Sequence, residues 1–277
     1  TDHPTVVRQE LFPLQDIVNE LKNALEHTTP PPDHISIVGN GEPTLYLRLG
    51  DLIREIRHLT GIPIAVITNG ALLSDPAVRA DLAEADIVLT SFNAPTDALF
   101  HRIDRPCPGI TLNAVRQGLV AYSRIQRRGA LWVEIMLLKD INDSPAVLQE
   151  LHWLLQEVGP DRVFVDTPIR PPAEPFVLPV TSEQLTEAEG ILGGAQPSGD
   201  EFGAFTVDAG SDPVDTIASI CKRHPMREDQ VVTLLRRSGV DPYPVLNQLC
   251  ADSRFRVERY SGFTFYLVRD NDTRAAQ

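Results

Sequence analysis

An acidic turn between two glycines, Gly39-Asn40-Gly41-Glu42-Pro43, is the segment whose residue types and spacing most directly suggest chemistry. It closes the apolar run 34–39 (HISIVG), whose pattern indicates a strand. Glycines let the backbone turn tightly and leave its N–H and C=O groups open to a ligand, while Glu42 adds a charge at the strand end. The turn is therefore predicted to bind a ligand, although glycines needed only for turn geometry would give the same spacing.

Two further strand ends carry polar residues in the same way. Thr68-Asn69-Gly70 ends the next apolar run, and Ser91-Phe92-Asn93-Ala94 ends the one after it. In order and interval, the three segments resemble motifs of the radical S-adenosylmethionine (SAM) enzymes: a GGEP turn, a TNG strand end and an S-(L/I)-D-(A/G) strand end. Three later segments, FHRIDRPCPGITLNAVRQGL, WVEIMLLKDIND and DTPIRPPAEP, resemble one subgroup of that family.

The resemblance implies that SAM binds at these strand ends. The residues that it assigns to SAM are Gly39, Gly41, Glu42, Pro43, Thr68, Asn69, Ser91, Asn93, Glu134, Asn142 and Thr167. The glycine turn would meet the methionyl amino group, and the next two strand ends would face the sugar or the carboxylate. Asn93 replaces the aspartate that is commoner in the family. No residue is assigned as catalytic.

Two charged residues further along the chain have open roles. Glu134 interrupts the apolar run ALWVEIMLL, and burying a carboxylate without a partner is costly. It is expected either to line the site or to form a structural ion pair. Arg170 is predicted to contact the substrate, because its planar guanidinium binds carboxylate or phosphate with two hydrogen bonds. A purely structural role stays open for Arg170 and for Thr167.

The family's iron–sulfur ligands are absent from this sequence. The resemblance implies a [4Fe–4S] cluster held by a CxxxCxxC loop, whereas Cys107, Cys221 and Cys250 are widely separated. Because the chain opens on the helix that would follow that loop, the ligands are expected upstream of Thr1, and this chain alone is expected not to cleave SAM. The complete enzyme would form a 5′-deoxyadenosyl radical, abstract hydrogen from an unidentified substrate, and use an electron donor such as ferredoxin or flavodoxin.

The elements that must position these residues follow an alternating pattern. Apolar runs over 34–39, 62–68, 85–92, 130–138 and 161–168 are separated by segments whose apolar residues recur every three or four positions. Alternating strands and helices predict an α/β fold built on a parallel sheet. The resemblance narrows this expectation to a partial (βα)6 barrel that is open on one side.

Composition shifts divide the chain. The barrel is expected over 1–180, a linker with a short helix over 181–210, and a small domain over 211–277. The last segment has three helical stretches and two alternating strands around Ser261-Gly262, a pattern that predicts a winged helix.

Charge and composition limit the partners. A net charge of -13 disfavours anionic lipid surfaces and phosphate backbones overall, and the absence of a long apolar run or signal segment predicts a cytoplasmic protein without a membrane partner. Basic residues in the tail, Arg236, Arg237 and Arg259 among them, leave a second hypothesis open: a nucleic-acid-binding regulator on a degenerate barrel. A Rossmann-like protein is a weaker third hypothesis, because GNGEP lacks the GxGxxG order.

Overall fold

The computed structural model describes residues 5–39, 41–172, 174, 176–196, 207, 211–222 and 225–269. The chain forms two compact units. The first comprises Thr1–Thr167 and Pro179–Pro197, and the second comprises Pro168–Leu178 and Ser198–Gln277. Of the helices in the described ranges, none combines the length and the apolar character needed to cross a bilayer.

A five-stranded parallel sheet organises the first unit. Its strands are β1 (Ile35–Ile37), β2 (Ile64–Thr68), β3 (Ile87–Ser91), β4 (Ala130–Met136) and β5 (Arg162–Asp166). They lie in the sheet in chain order, each pairing with the next. The predicted α/β class and all five strands are confirmed. Each strand is shorter than its apolar run, because the run continues beyond the last residue that has a ladder partner.

Helices connect these strands, and polar side chains cap several of them. Thr96, Thr111 and Ser144, for example, each accept a hydrogen bond from a backbone N–H in the first turn that follows. The helices of the first unit are α1 (Leu14–His27), α2 (Leu49–Leu59), α3 (Pro76–Leu82), α4 (Asp97–Ile103), α5 (Leu112–Arg124), α6 (Pro145–Val158) and α7 (Ser182–Leu192), with a 3₁₀ turn at Pro43–Leu45.

The two faces of the sheet differ in burial. Val66, Val88 and Val133 on one face are fully buried in the main hydrophobic core. Leu89 and Glu134 on the opposite face are only half-buried. Because successive side chains of a strand point to opposite faces, the nearly continuous apolar strands supply both surfaces. The half-buried face ends, at the carboxyl edge of the sheet, beside the motif residues.

The second unit combines helices with a small antiparallel sheet. In residues 211–222 and 225–269 its elements are α8 (Pro213–Cys221), β6 (Met226–Arg227), α9 (Glu228–Arg237), α10 (Pro242–Ala251), β7 (Phe255–Tyr260) and β8 (Phe263–Val268). The strands pair in the order β6-β8-β7. The β7–β8 hairpin turns at Ser261 and Gly262, both with positive φ (49° and 83°), as a tight two-residue turn requires. Part of the predicted linker, 197–206 and 208–210, lies outside the described residues.

Candidate functional site

A cavity of about 320 Å³ opens at the carboxyl ends of β1, β2 and β3. Apart from Thr5 and Val6, all of its lining residues lie between 41 and 115. The predicted site residues that line it are Gly41, Glu42, Asn69, Ser91 and Asn93. The structure thus brings the three strand-end motifs to one site, as expected where parallel strands end at the same sheet edge.

Another part of the lining comes from α4, α5 and the loop between them. Phe100, Ile110 and Val115 contribute apolar surface, and Asp104 and Arg105 contribute charge. Sequence reasoning did not assign these residues to the site, although it singled out the segment that carries them. The signal was present in the loop RPCPG, whose prolines and glycine mark an irregular connection. A lining with both polar and apolar side chains suits a ligand that has both kinds of surface.

Glu42 joins the ends of β1 and β2. Its Oε1 accepts hydrogen bonds from the backbone N–H of Thr44 (3.0 Å), from the Thr44 hydroxyl (2.6 Å) and from the Thr68 hydroxyl. Its Oε2 accepts a hydrogen bond from the backbone N–H of Asn69 (2.8 Å). The carboxylate therefore orients the two strand ends, and Thr68 acts through Glu42 while itself being buried.

The turn after β2 depends on a glycine. Gly70 has a φ of +72°, and a Cβ added to it would lie 2.6 Å from the Thr90 hydroxyl oxygen. Its N–H donates to the Thr68 hydroxyl (3.1 Å), and the Asn69 side-chain oxygen accepts from the N–H of Ala71 (2.9 Å). These contacts hold Asn69 at the edge of the cavity. The left-handed conformation in this turn is that of Gly70, the next residue, and it favours glycine.

Asn93 is anchored from two sides at the end of β3. Its Oδ1 accepts a hydrogen bond from the backbone N–H of Met136 (2.9 Å), and its backbone carbonyl accepts one from the Asn142 amide (2.9 Å). Asn142 is fully buried, and its amide also bonds to the carbonyl of Met136 and the N–H of Leu138. The structure places Asn142 behind Asn93 rather than in the cavity lining.

Asp104 supplies a second carboxylate to the cavity. Its Oδ1 accepts a hydrogen bond from the Asn93 side-chain nitrogen (2.9 Å). Although Asp104 is open to the solvent of the cavity, desolvation by the surrounding protein raises the pKa of its carboxyl, and the Asn93 hydrogen bond offsets only part of that rise. The next residue, Arg105, has a φ of 45°, which is uncommon for a side-chain-bearing residue.

Glu134 lies on the half-buried face of β4 and does not line the cavity. Its neighbours across the ladder are Ser91 on β3 and Phe164 on β5. Burial, and after it the charge of Asp166, raise the pKa of the Glu134 carboxyl. In the described part of the chain it forms no ion pair, the structural role that the sequence left open.

The remaining predicted residues are not among those that line the cavity. The Thr167 hydroxyl donates to the carbonyl of Leu137 (3.0 Å) and accepts from the N–H of Val180 (2.9 Å). Gly39 and Pro43 flank the lining residues of the first turn. Arg170 is exposed and belongs to the second unit, and Asn40 lies outside the described residues.

The residues present do not fit an iron–sulfur cluster. Among the described residues, no group of three or more His, Cys, Asp or Glu side chains is arranged to hold a metal ion. Cys107 lines the cavity, whereas Cys221 and Cys250 belong to the second unit. The donor set of the cavity does fit SAM, which has charged, hydroxyl-bearing and apolar parts. Gly41 lines the cavity, and a Cβ added to it would meet no protein atom within 4 Å.

Comparisons with known proteins relate the chain to one family. The family model of the radical SAM superfamily matches residues 3–151. A UPF0026 protein of Methanocaldococcus jannaschii is 27% identical over 278 residues, covering 96% of this chain and 84% of that protein. A protein of Brachyspira hyodysenteriae named GTPase Obg is 36% identical over 178 residues, which are 64% of this chain but only 26% of that protein.

A solved structure is similar at a lower sequence identity. It is a radical SAM methyltransferase from Sphaerobacter thermophilus, 22% identical, with a TM-score of 0.48, covering 67% of this chain and 57% of that one. The family assignment depends instead on the model match, which spans more than half of the 277 residues. This chain belongs to the radical SAM superfamily.

Proposed function

We propose that the cavity binds S-adenosylmethionine and that the chain supplies the SAM-binding part of a radical SAM enzyme. The observation that carries this proposal is the meeting of Gly41, Glu42, Asn69, Ser91 and Asn93 in one cavity. These residues are separated by up to 52 positions in the sequence, which the numbering gives directly (93 minus 41). Shared membership of one pocket supports a common ligand better than any single motif does.

Different lining residues would contact different parts of SAM, according to their chemistry. The open backbone at Gly41 would meet the methionyl end, and the polar side chains of Ser91 and Asn93 would meet the sugar. Glu42 would keep the first two strand ends in register with each other, and the apolar side chains of Phe100 and Val115 would cover the adenine and exclude water.

The reaction proposed for the complete enzyme is hydrogen abstraction from a substrate by a 5′-deoxyadenosyl radical, with electrons from a donor such as ferredoxin or flavodoxin. That chemistry belongs to SAM and a [4Fe–4S] cluster together. Since the described residues hold no cluster-binding group, we assign no reaction step to them. Their proposed contribution is to bind and orient SAM.

The finer fold assignments are part of the same proposal. The order β1 to β5 and the half-buried sheet face support a partial (βα)6 barrel. The helices α8 to α10 and the β7–β8 hairpin support a winged helix in the second unit. The division of the chain at 180 and 211 stays a prediction.

No observation in the described residues favours the alternative functions. Basic side chains of the second unit pair with nearby acids: Arg227 with Asp229, Arg254 with Asp215 and Asp252, and Arg256 with Glu258. Such pairing weakens the case for a phosphate-binding surface. Another basic residue of the tail, Arg223, lies outside the described residues. The GTPase name of the Brachyspira relative is not carried over, because none of the three lysines here is followed by Ser or Thr, as a P-loop requires.

A glycine substitution tests SAM binding without disturbing the fold. The change Gly41→Ala adds a methyl group to a residue that lines the cavity, and this methyl group meets no protein atom within 4 Å. A ligand held against the Gly41 backbone, as proposed, would contact it. We expect wild-type protein to bind SAM in calorimetric titration and Gly41→Ala to bind at least about tenfold more weakly, a loss of about 1.4 kcal/mol.

The matched control is Gly61→Ala, which also meets no atom within 4 Å but precedes β2 and does not line the cavity. It should bind SAM as the wild type does. Equal affinities for all three proteins would contradict the placement of SAM in this cavity, and no binding by the wild type would contradict the proposed function itself.

A further inference from the structure

The pair formed by Asn93 and Asp104 fixes the position of the second carboxylate of the cavity. Because Asn93 Oδ1 accepts the backbone N–H of Met136, its side-chain nitrogen must point the other way, and it donates to Asp104 Oδ1 at 2.9 Å. Both side chains line the cavity. A carboxylate that lines the cavity therefore lies one hydrogen bond away from Asn93.

The position of Asp104 disfavours a charged carboxylate. It occupies the C-cap of α4, where the partial negative charge of the helix end repels a carboxylate. The protein around it also disfavours the charged form, since the pKa of the carboxyl is raised by desolvation. A perturbed carboxyl group that lines a cavity is a candidate for a functional residue.

We propose that Asp104 is a ligand-binding residue that accepts hydrogen bonds from the ribose hydroxyls of SAM, with Asn93 as its positioning residue. This inference rests on the proposed function of the cavity. A carboxylate is the usual acceptor for ribose hydroxyls in nucleotide sites, because it offers several lone pairs and no competing donor. One of its oxygens bonds to Asn93, and the other oxygen is the acceptor for the ligand.

An exchange of the two side chains tests the pair. Asp104→Asn removes the acceptor charge, and Asn93→Asp places two carboxylates next to each other. In the double variant the hydrogen bond is retained with its direction reversed, because an amide at 104 donates to a carboxylate at 93, whose other oxygen still accepts from Met136. The carboxylate returns to the cavity at the neighbouring position.

The affinities to compare are those for SAM, 5′-methylthioadenosine and the 2′,3′-dideoxy form of the latter. We expect Asp104→Asn to bind the first two about tenfold more weakly and the dideoxy compound unchanged, as for loss of a hydrogen bond to a charged group. Asn93→Asp should also bind more weakly, and the double variant should return to within about threefold of the wild type. Asp97→Asn, at the other end of α4 and outside the cavity lining, should match the wild type.

Several results would overturn the inference. An unchanged affinity in Asp104→Asn would do so, as would an equal loss for the dideoxy compound, an equal loss in Asp97→Asn, or a double variant that binds no better than Asp104→Asn. If the wild type binds SAM, these results refute only the role of Asp104. If the wild type binds none of the ribose compounds, the proposed function fails and the inference fails with it. Thermal unfolding of each variant, monitored by circular dichroism, checks the fold.

Discussion

Removal of the Glu42 carboxylate should destabilise the first unit by an amount that its hydrogen bonds determine. In Glu42→Ala, four donors lose their acceptor: the hydroxyls of Thr44 and Thr68 and the backbone N–H groups of Thr44 and Asn69. Both threonines are buried, at 1% and 3% exposure, so water does not easily replace the carboxylate. At about 1 kcal/mol for each of these four hydrogen bonds, the expected loss is about 4 kcal/mol of the free energy of unfolding.

Glu42→Gln should cost less. With its oxygen in the position of Oε1, the glutamine keeps the three hydrogen bonds to Thr44 and Thr68. Its nitrogen cannot accept from the N–H of Asn69, so one hydrogen bond is lost. The expected loss is about 1 kcal/mol. The order of stability is therefore wild type, then Gln, then Ala.

Tryptophan fluorescence during urea unfolding measures the free energy of unfolding of the first unit in the wild type, Glu42→Gln and Glu42→Ala. The only two tryptophans of the sequence, Trp132 and Trp153, both belong to the first unit, so their emission follows its unfolding. Glu55→Ala, an exposed residue of α2, is the control and should stay within about 0.5 kcal/mol of the wild type. If Glu42→Ala is also within about 0.5 kcal/mol, Glu42 does not join the strand ends as described.

Two further substitutions test other features of the first unit. Glu134→Gln should raise the melting temperature at pH 7. Burial and the charge of Asp166 raise the pKa of the Glu134 carboxyl in the folded protein, so the folded protein binds this proton more tightly than the unfolded chain does. The free energy of unfolding of the wild type therefore falls as the pH rises above 4.5, the pKa of this carboxyl in the unfolded chain. The gain should vanish below about pH 4.5, and a gain of equal size at pH 3.5 would contradict this cause. Gly70→Ala should lower the free energy of unfolding more than Gly193→Ala, since both glycines have positive φ but only Gly70 approaches a neighbour, the hydroxyl of Thr90. Urea titrations of the two variants measure the difference, and equal losses would show that the contact with Thr90 has no cost.

The strand-end part of the site could be predicted from the sequence because it depends on local order. Gly41, Asn69 and Ser91 each follow an apolar run, and parallel strands bring such positions to one edge. The predicted contact of Asn142 with SAM was harder to judge from the sequence. An asparagine that follows a strand can face a ligand or can bond to buried backbone, and the sequence looks the same in both cases. Here its amide bonds to the backbone carbonyls of Asn93 and Met136. Asp104 was missed because its place in the cavity follows from the packing of α4, which no periodicity specifies.

The composition of the cavity wall has a consequence for how the protein is made. Almost all of the wall comes from residues 41–115, and β1, β2 and β3 are neighbours in the sheet in the order in which they are synthesised. Contacts between segments close in sequence form fastest, and domains fold as they leave the ribosome. The walls of the cavity can therefore assemble on the nascent chain before the second unit exists, and the arrival of β4, whose Met136 N–H anchors Asn93, completes them.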